Sequence, residues 1–206
     1  MDSDPAFATE LRRRLHVFCD GIMLVADRAD RVRFVLNPSS GEPVLPIHAD
    51  VLEHQEITLL VPDETDDALQ LLCTPTPLDP ARAEACDRHL IFFGKPQFPK
   101  WALLEVEAVK STDGVLEGAE FVGPEPLHAA EPALLKLLNA DRSLLGAAYQ
   151  RHGGTTPDEP LAVGVDEWGA WVRARFGAMR LPFATHAPTD AAAREAIGAL
   201  LHGAPS

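Results

Sequence analysis

Positive charge is scarce in this chain of 206 residues, and so are cysteine and long apolar runs. Lys and Arg number 18 against 31 Asp and Glu, a formal charge of −13 with histidines neutral. Such a surface repels phosphate backbones and anionic headgroups, so neither nucleic acid nor a membrane is an expected partner. No stretch reaches the roughly 18 apolar residues of a membrane span. The opening Met-Asp-Ser-Asp is not the basic-then-apolar pattern of a secretory signal. Cys19, Cys73 and Cys86 are odd in number and lack paired spacing, which reads as reduced thiols of a cytoplasmic protein rather than a disulfide framework. There is no Gly-x-Ser-x-Gly elbow, Walker loop, His-Glu-x-x-His motif, internal repeat or low-complexity tract. Nucleophilic catalysis therefore has no support, and whether the chain is an enzyme stays open.

What is present is ordinary globular composition, 46% hydrophobic and 24% charged, enough for a sizeable core. The clearest pattern lies near the end. Leu161 to Phe183 holds three apolar runs separated by turn residues at Asp166 to Gly169 and at Gly177, which predicts a three-stranded antiparallel meander. Before it, the spacing of Leu134, Leu135, Leu138, Leu144, Leu145 and Tyr149 predicts one helix over Glu131 to His152. After it, Thr189 to Leu201 repeats that character, with Thr189 or Asp190 as cap.

Earlier, Pro5 to Leu15 reads as a helix. Val17 to Ala26 and Arg31 to Asn37 read as strands joined by the turn Asp27 to Asp30, with Val32, Phe34 and Leu36 alternating. Pro43 to Ile47, Ile57 to Val61 and Leu69 to Thr74 are further strands, and Asp50 to His54 is a helical turn. Asp79 and Pro80 form a helix start, with the helix running to about Leu90. Phe92 to Trp101 is a loop with exposed aromatics. Trp101 to Lys110 and Val115 to Val122 pair across Thr112-Asp-Gly114. Gly123-Pro-Glu-Pro126 breaks the pattern, so the expected domains are 1–124, a small and mostly antiparallel barrel of about seven strands, and 125–206, an α-β-β-β-α unit. The fold class is α+β.

On Leu138-Asn-Ala-Asp141, Val163-Gly-Val-Asp166, Trp171-Val-Arg173 and Arg180-Leu-Pro-Phe183, set after a strand-rich barrel, the chain resembles the haem-utilisation branch of the pyridoxamine-phosphate-oxidase-like, FMN-binding split barrels. Asn139 and Asp141 match the family's Met-Asn-x-Asp-His opening motif. Gly164 and Asp166 match its Gly-x-Asp turn, and Arg180, Pro182 and Phe183 match its closing strand. Leu138 and Arg142 depart from it, standing where the family often has Met and His. The resemblance implies a split β-barrel, usually a homodimer with its cofactor groove at the subunit interface. It also implies a bound haem, a bound flavin mononucleotide (FMN), or no cofactor at all, in which case the chain is an interaction or regulatory module.

The residues themselves offer few candidates for such a site. Arg31 and Arg33 fall on one strand face and are candidate contacts for a flavin phosphate, although the same pair also reads as the solvated face opposite Val32 and Phe34. The third strand, with Val44, Leu45 and Pro46, is apolar where a phosphate would want donors. A haem needs an axial ligand, and His202, in the tail Leu201 to Ser206, is a candidate by analogy of position. No metal site is expected. His48 and His54 would diverge by about 240° on a helix, and Cys86 with His89 lacks two further ligands, reading as a buried thiol beside an exposed imidazole. Phe92, Phe93, Phe98 and Trp101 either rim a planar ligand or settle at a dimer interface, the second being the reading adopted. Trp168 falls in a turn, and Trp171 reads as core.

Overall fold

The computed structural model describes residues 4–63, 65–153, 158–175 and 177–203, and the chain divides into two units, Met1–Pro124 and Glu125–Ser206. The architecture is mixed α+β, with a curled antiparallel sheet in the first unit and six α-helices among the described residues.

The first unit opens with helix α1, Pro5–His16, which Asp4 caps by accepting from the Ala6 N–H at 2.9 Å while Pro5 occupies the first turn. Ala8, Leu11 and Leu15 form its buried stripe. Strands β1 (Asp20–Val25) and β2 (Arg28–Arg33) follow, paired from Val25↔Arg28 to Asp20↔Arg33. The connection is therefore the two-residue turn Ala26-Asp27, with Ala26 at φ 50°, and not the longer Asp27 to Asp30 turn that the acidic residues suggest.

Beyond β2 the chain continues as β3 (Val35–Leu36), β4 (Pro43–Ile47), a 3₁₀ turn (Ala49–Glu53), β5 (Ile57–Val61) and β6 (Leu69–Pro77). Helix α2 (Glu84–Phe93), β7 (Lys100–Ser111), β8 (Gly114–Glu117) and α3 (Gly118–Phe121) complete the unit. The sheet order is β2-β1-β5-β6-β7-β4-β3, with β8 also on β7 and every pairing antiparallel. Strands β2 and β3 thus stand at opposite ends of the sheet, yet only Phe34 separates them in sequence. The sheet must curl until its two ends meet at that residue, whose side chain is wholly buried. The single strand expected over Arg31 to Asn37 is accordingly two, and the sheet has eight strands among the described residues where about seven were expected.

The barrel interior is filled by Phe34, Leu45, Ile47, Leu59, Leu71, Leu104 and their neighbours. All five residues of β4 are buried because α2 packs on its other side. Pro46 lies past the end of β3, where β4 has a neighbour on one side only and an imino residue is tolerated.

Three boundaries differ from the periodicity. Asp79 accepts from the Ala81 N–H at 3.0 Å and closes a turn, but Ala83 is extended, so α2 begins only at Glu84 and runs to Phe93. Phe92 and Trp101 are consequently buried, and Phe93 and Phe98 half-buried, rather than an exposed aromatic set. Strand β8 ends at Glu117 because Gly118 turns into α3, and a Cβ there would lie 1.7 Å from the Val106 carbonyl oxygen.

In the second unit the predicted helix over Glu131 to His152 is broken into α4 (Glu131–Leu138) and α5 (Arg142–Gly153). Asn139 leaves the helix to hold strand β9 (Leu161–Asp166). Its Nδ2 donates to the Ala162 carbonyl and its Oδ1 accepts from the Ala162 N–H, both at 2.9 Å. Asp141 then caps α5 by accepting from the N–H groups of Ser143 and Leu144. Two residues of the opening motif are thus a strand clasp and a helix cap.

The meander consists of β9, β10 (Gly169–Ala174) and β11 (Gly177–Pro182). Strands β10 and β11 pair down to Ala174↔Gly177, so Gly177, read from sequence as a turn residue, opens β11, and residue 176 lies outside the described residues. Gly164 lies within β9 and pairs with Trp171, so the turn of the Gly-x-Asp motif is Glu167-Trp168. Trp171 is buried and Trp168 half-buried. Helix α6 (Asp190–His202) starts at Thr189, whose Oγ1 accepts from the Ala192 N–H. It includes His202, which is therefore not in a frayed tail. Leu200 and Leu201 are buried, and Arg151 donates to both of their carbonyls.

Candidate functional site

Where the ends of the barrel sheet meet, a cavity of about 600 Å³ opens between β2, β4, α2 and the loop that follows α2. That size lies within the range of small-molecule and cofactor sites, roughly 300–1,000 Å³. Period-two geometry sends Arg31 and Arg33 to the same face of β2, and both line this cavity, as do Pro46 and, from α2, His89 and Phe93. Gly94 ends α2 with φ 77° and ψ −150°, a conformation reserved for glycine, and so turns Lys95 and Phe98 back over the opening. Phe98 is held there by the His48 ring at 3.9 Å between centroids.

The charges are not equivalent. Arg31 lies at the exposed rim, paired with Asp63 at 2.9 Å and more distantly with Asp20 at 3.9 Å. Arg33 lies over the Phe93 ring, 5.5 Å from its centroid, and among the described residues neither Arg33 nor Lys95 has a carboxylate partner. Two uncompensated cations facing one concavity are notable in a chain of net charge −13. Arg28, at the start of the same strand, is committed to Asp30 and Asp50 at 2.6 and 2.7 Å and does not line the cavity.

His89 is the deepest polar group. It is 2% exposed, held at 4.7 Å from Phe93 and edge-on to Trp101 at 5.1 Å, and its Nε2 is 3.1 Å from the carbonyl oxygen of Arg33. It is thus a buried imidazole, not the exposed one expected beside Cys86. A carbonyl only accepts, so Nε2 carries the proton. Burial, reinforced by the Arg33 charge, pushes the ring down to about 4, against a raising effect of the Arg33 carbonyl bond. At neutral pH Nδ1 is therefore a bare lone pair, buried and without a hydrogen-bond partner among the described residues.

Of the residues singled out from sequence, Arg31 and Arg33 come together here. His202 lies in the second unit, exposed in the last turn of α6, and is not among the cavity residues. Sequence reasoning missed Lys95 and the role of His89. The available signal was Gly94 beside a cation and two aromatics, but nothing in the linear order sets that loop against β2. No group of three or more His, Cys, Asp and Glu side chains suited to a metal ion occurs among the described residues.

No protein-family model matches the chain, and no curated protein matches it. Solved structures do. The protein Atu2129 from Agrobacterium tumefaciens strain C58, of unknown function, is 18% identical with a TM-score of 0.66, over 98% of this chain and 97% of that one. A heme binding protein from Mycobacterium smegmatis is 18% identical with a TM-score of 0.43, over 98% of each chain. The first likeness establishes a shared fold. The second is too distant in geometry to add to it.

Proposed function

We propose that the chain is a split-barrel cofactor-binding protein that holds a planar anionic cofactor, of the haem or FMN class, in the cavity beside β2. The observation that carries this reading is the pairing of two uncompensated cations, Arg33 and Lys95, with the aromatic walls Phe93 and Phe98 around one cavity of cofactor size. A phosphate or a pair of propionates would meet Arg33 and Lys95, with Arg31 at the rim. The rings of Phe93 and Phe98 would flank the conjugated plane. When bound, such a group supplies redox chemistry, and this chain's residues hold it, orient it and exclude water. For haem, His202 on the exposed end of α6 would be an iron ligand outside this cavity, whose lining does not include it. The protein as a homodimer belongs to the same proposal.

The first test is the absorption spectrum of the purified protein before and after addition of FMN or haemin, with light scattering for the dimer. A flavin or Soret band that persists through gel filtration is expected, and a Soret band lost in His202→Ala would assign that ligand. A protein that takes up neither cofactor is instead an interaction module. That second reading has one specific support, the neutralisation of Arg31 by Asp63 and Asp20.

A further inference from the structure

Resting on the cofactor-binding reading of this cavity, we infer that Asp63 is a competitor built into the chain: its carboxylate holds Arg31 at the rim, and a ligand's phosphate or carboxylate must displace it to recruit that cation. The pair is an autoinhibitory contact that sets the affinity of the site for anions.

Arg31 and Arg33 stand two residues apart on one face of β2, about 7 Å along the strand, and both line the cavity. Their guanidinium groups have different surroundings. Arg33 lies over the Phe93 ring and has no carboxylate partner among the described residues. Arg31 donates from Nη2 to Oδ2 of Asp63 at 2.9 Å, while its Nη1 is 3.9 Å from Asp20. The two acidic residues differ in place. Asp20 belongs to β1 and itself lines the cavity, so its charge does not draw Arg31 away. Asp63 follows β5 and is not among the lining residues, so the shorter bond leads out of the cavity. Neutralisation is confined to Arg31, and Lys95 on the facing loop keeps its charge as Arg33 does.

The strength of the contact suits a device that a ligand can undo. The side chains of Arg31 and Asp63 are 67% and 45% exposed, so water screens their attraction, and holding two flexible chains in one geometry costs entropy. An anionic group already held by Arg33 and Lys95 meets Arg31 at high effective concentration. It also offers the guanidinium two oxygens, the arrangement that makes Arg–phosphate and Arg–carboxylate pairs strong. Binding therefore exchanges one partner of Arg31 for another, and the ligand gains only the difference. Removing the Asp63 charge gives the ligand the whole interaction.

The test is a double-mutant cycle on cofactor affinity, read by titration calorimetry with FMN and with haemin. It uses the wild type, Asp63→Asn, Arg31→Ala and the combined variant, with Arg31→Gln in place of Arg31→Ala if the alanine protein does not fold. Each cofactor that the wild type binds carries the cycle, so phosphate and propionate are distinguished by which one responds. Asp63→Asn should bind about twofold to fivefold more tightly than the wild type, the range that an exposed pair supports. In the Arg31→Ala background the same substitution should change affinity by less than about 1.5-fold at physiological salt, because only the screened long-range field remains. An equal or larger gain in that background overturns the inference, since Asp63 then acts on the ligand and not through Arg31. So does an affinity that Asp63→Asn leaves unchanged while a cofactor binds, and either result leaves the cofactor reading intact. A wild type that binds neither FMN nor haemin removes both.

Discussion

The Nε2 of His89 donates to the carbonyl oxygen of Arg33 across 3.1 Å, tying α2 to the strand that carries the cavity's cations. This one bond fixes the imidazole tautomer, and burial keeps the ring neutral, lowered from 6.5 to about 4.

A pH dependence follows. Between those two values the unfolded chain binds a proton that the folded chain does not, so stability falls as pH drops from about 7 towards 4, then levels once both states are protonated. The loss attributable to His89 is at most about 3 kcal/mol. Urea unfolding over this range should show that loss in the wild type and not in His89→Phe. Parallel pH profiles for the two proteins would contradict it.

The ion pair between Asp166 and Arg180 makes a second, separate prediction. Both side chains are 7% exposed, Nη1 donates to Oδ2 at 2.7 Å, Nη2 donates to Oδ1, and the guanidinium lies 5.4 Å from the Trp171 ring centre. Asp166→Ala leaves a buried unpaired guanidinium and should cost about 3–5 kcal/mol. Replacing both partners with apolar residues, Asp166→Leu with Arg180→Met, should cost less than either single change. Denaturant midpoints of the three variants measure this, and additive losses would contradict it.

Thiol reactivity provides a third test. Burial, followed by the Glu42 and Glu107 charges, pushes the Cys73 thiol up strongly, and burial with Asp87 and Asp79 pushes Cys86 up to about 11. Cys19 is the partly exposed thiol of the three. Iodoacetamide on the native protein should modify Cys19 alone, since the thiolate is the reactive form. All three should react in denaturant. Native labelling of Cys73 or Cys86 at a comparable rate would contradict the barrel packing around them.

Local chemistry made much of this fold readable from sequence. Strand β5 and strand β4 lie where apolar runs bounded by turn residues put them, and the meander of the second unit follows from its punctuation. The errors occur where a side chain bonds to distant backbone. Asn139 breaks a continuous apolar helical period because it pairs with Ala162, and Leu135 and Leu144 keep the same character on either side. Asp79 resembles a helix cap because it caps something, a turn that stops at Ala83. Half of the site was legible as well. Arg31 and Arg33 share a face by strand period alone. That His89, Phe93 and Lys95 meet them depends on the sheet closing at Phe34, a long-range consequence of strand order that no local window contains.

The central claim is that the cations beside β2 hold an anionic planar cofactor, and calorimetric titration of FMN and haemin into the wild type and into Arg33→Glu with Lys95→Glu tests it most directly. Hydrogen bonds to charged groups contribute about 1.5–3 kcal/mol each. The wild type should therefore bind at least one of the two cofactors at micromolar concentration or below, and the doubly reversed variant about a hundredfold more weakly or not at all. Equal affinity of the two proteins, or no heat of binding for either cofactor with the wild type, would contradict the account.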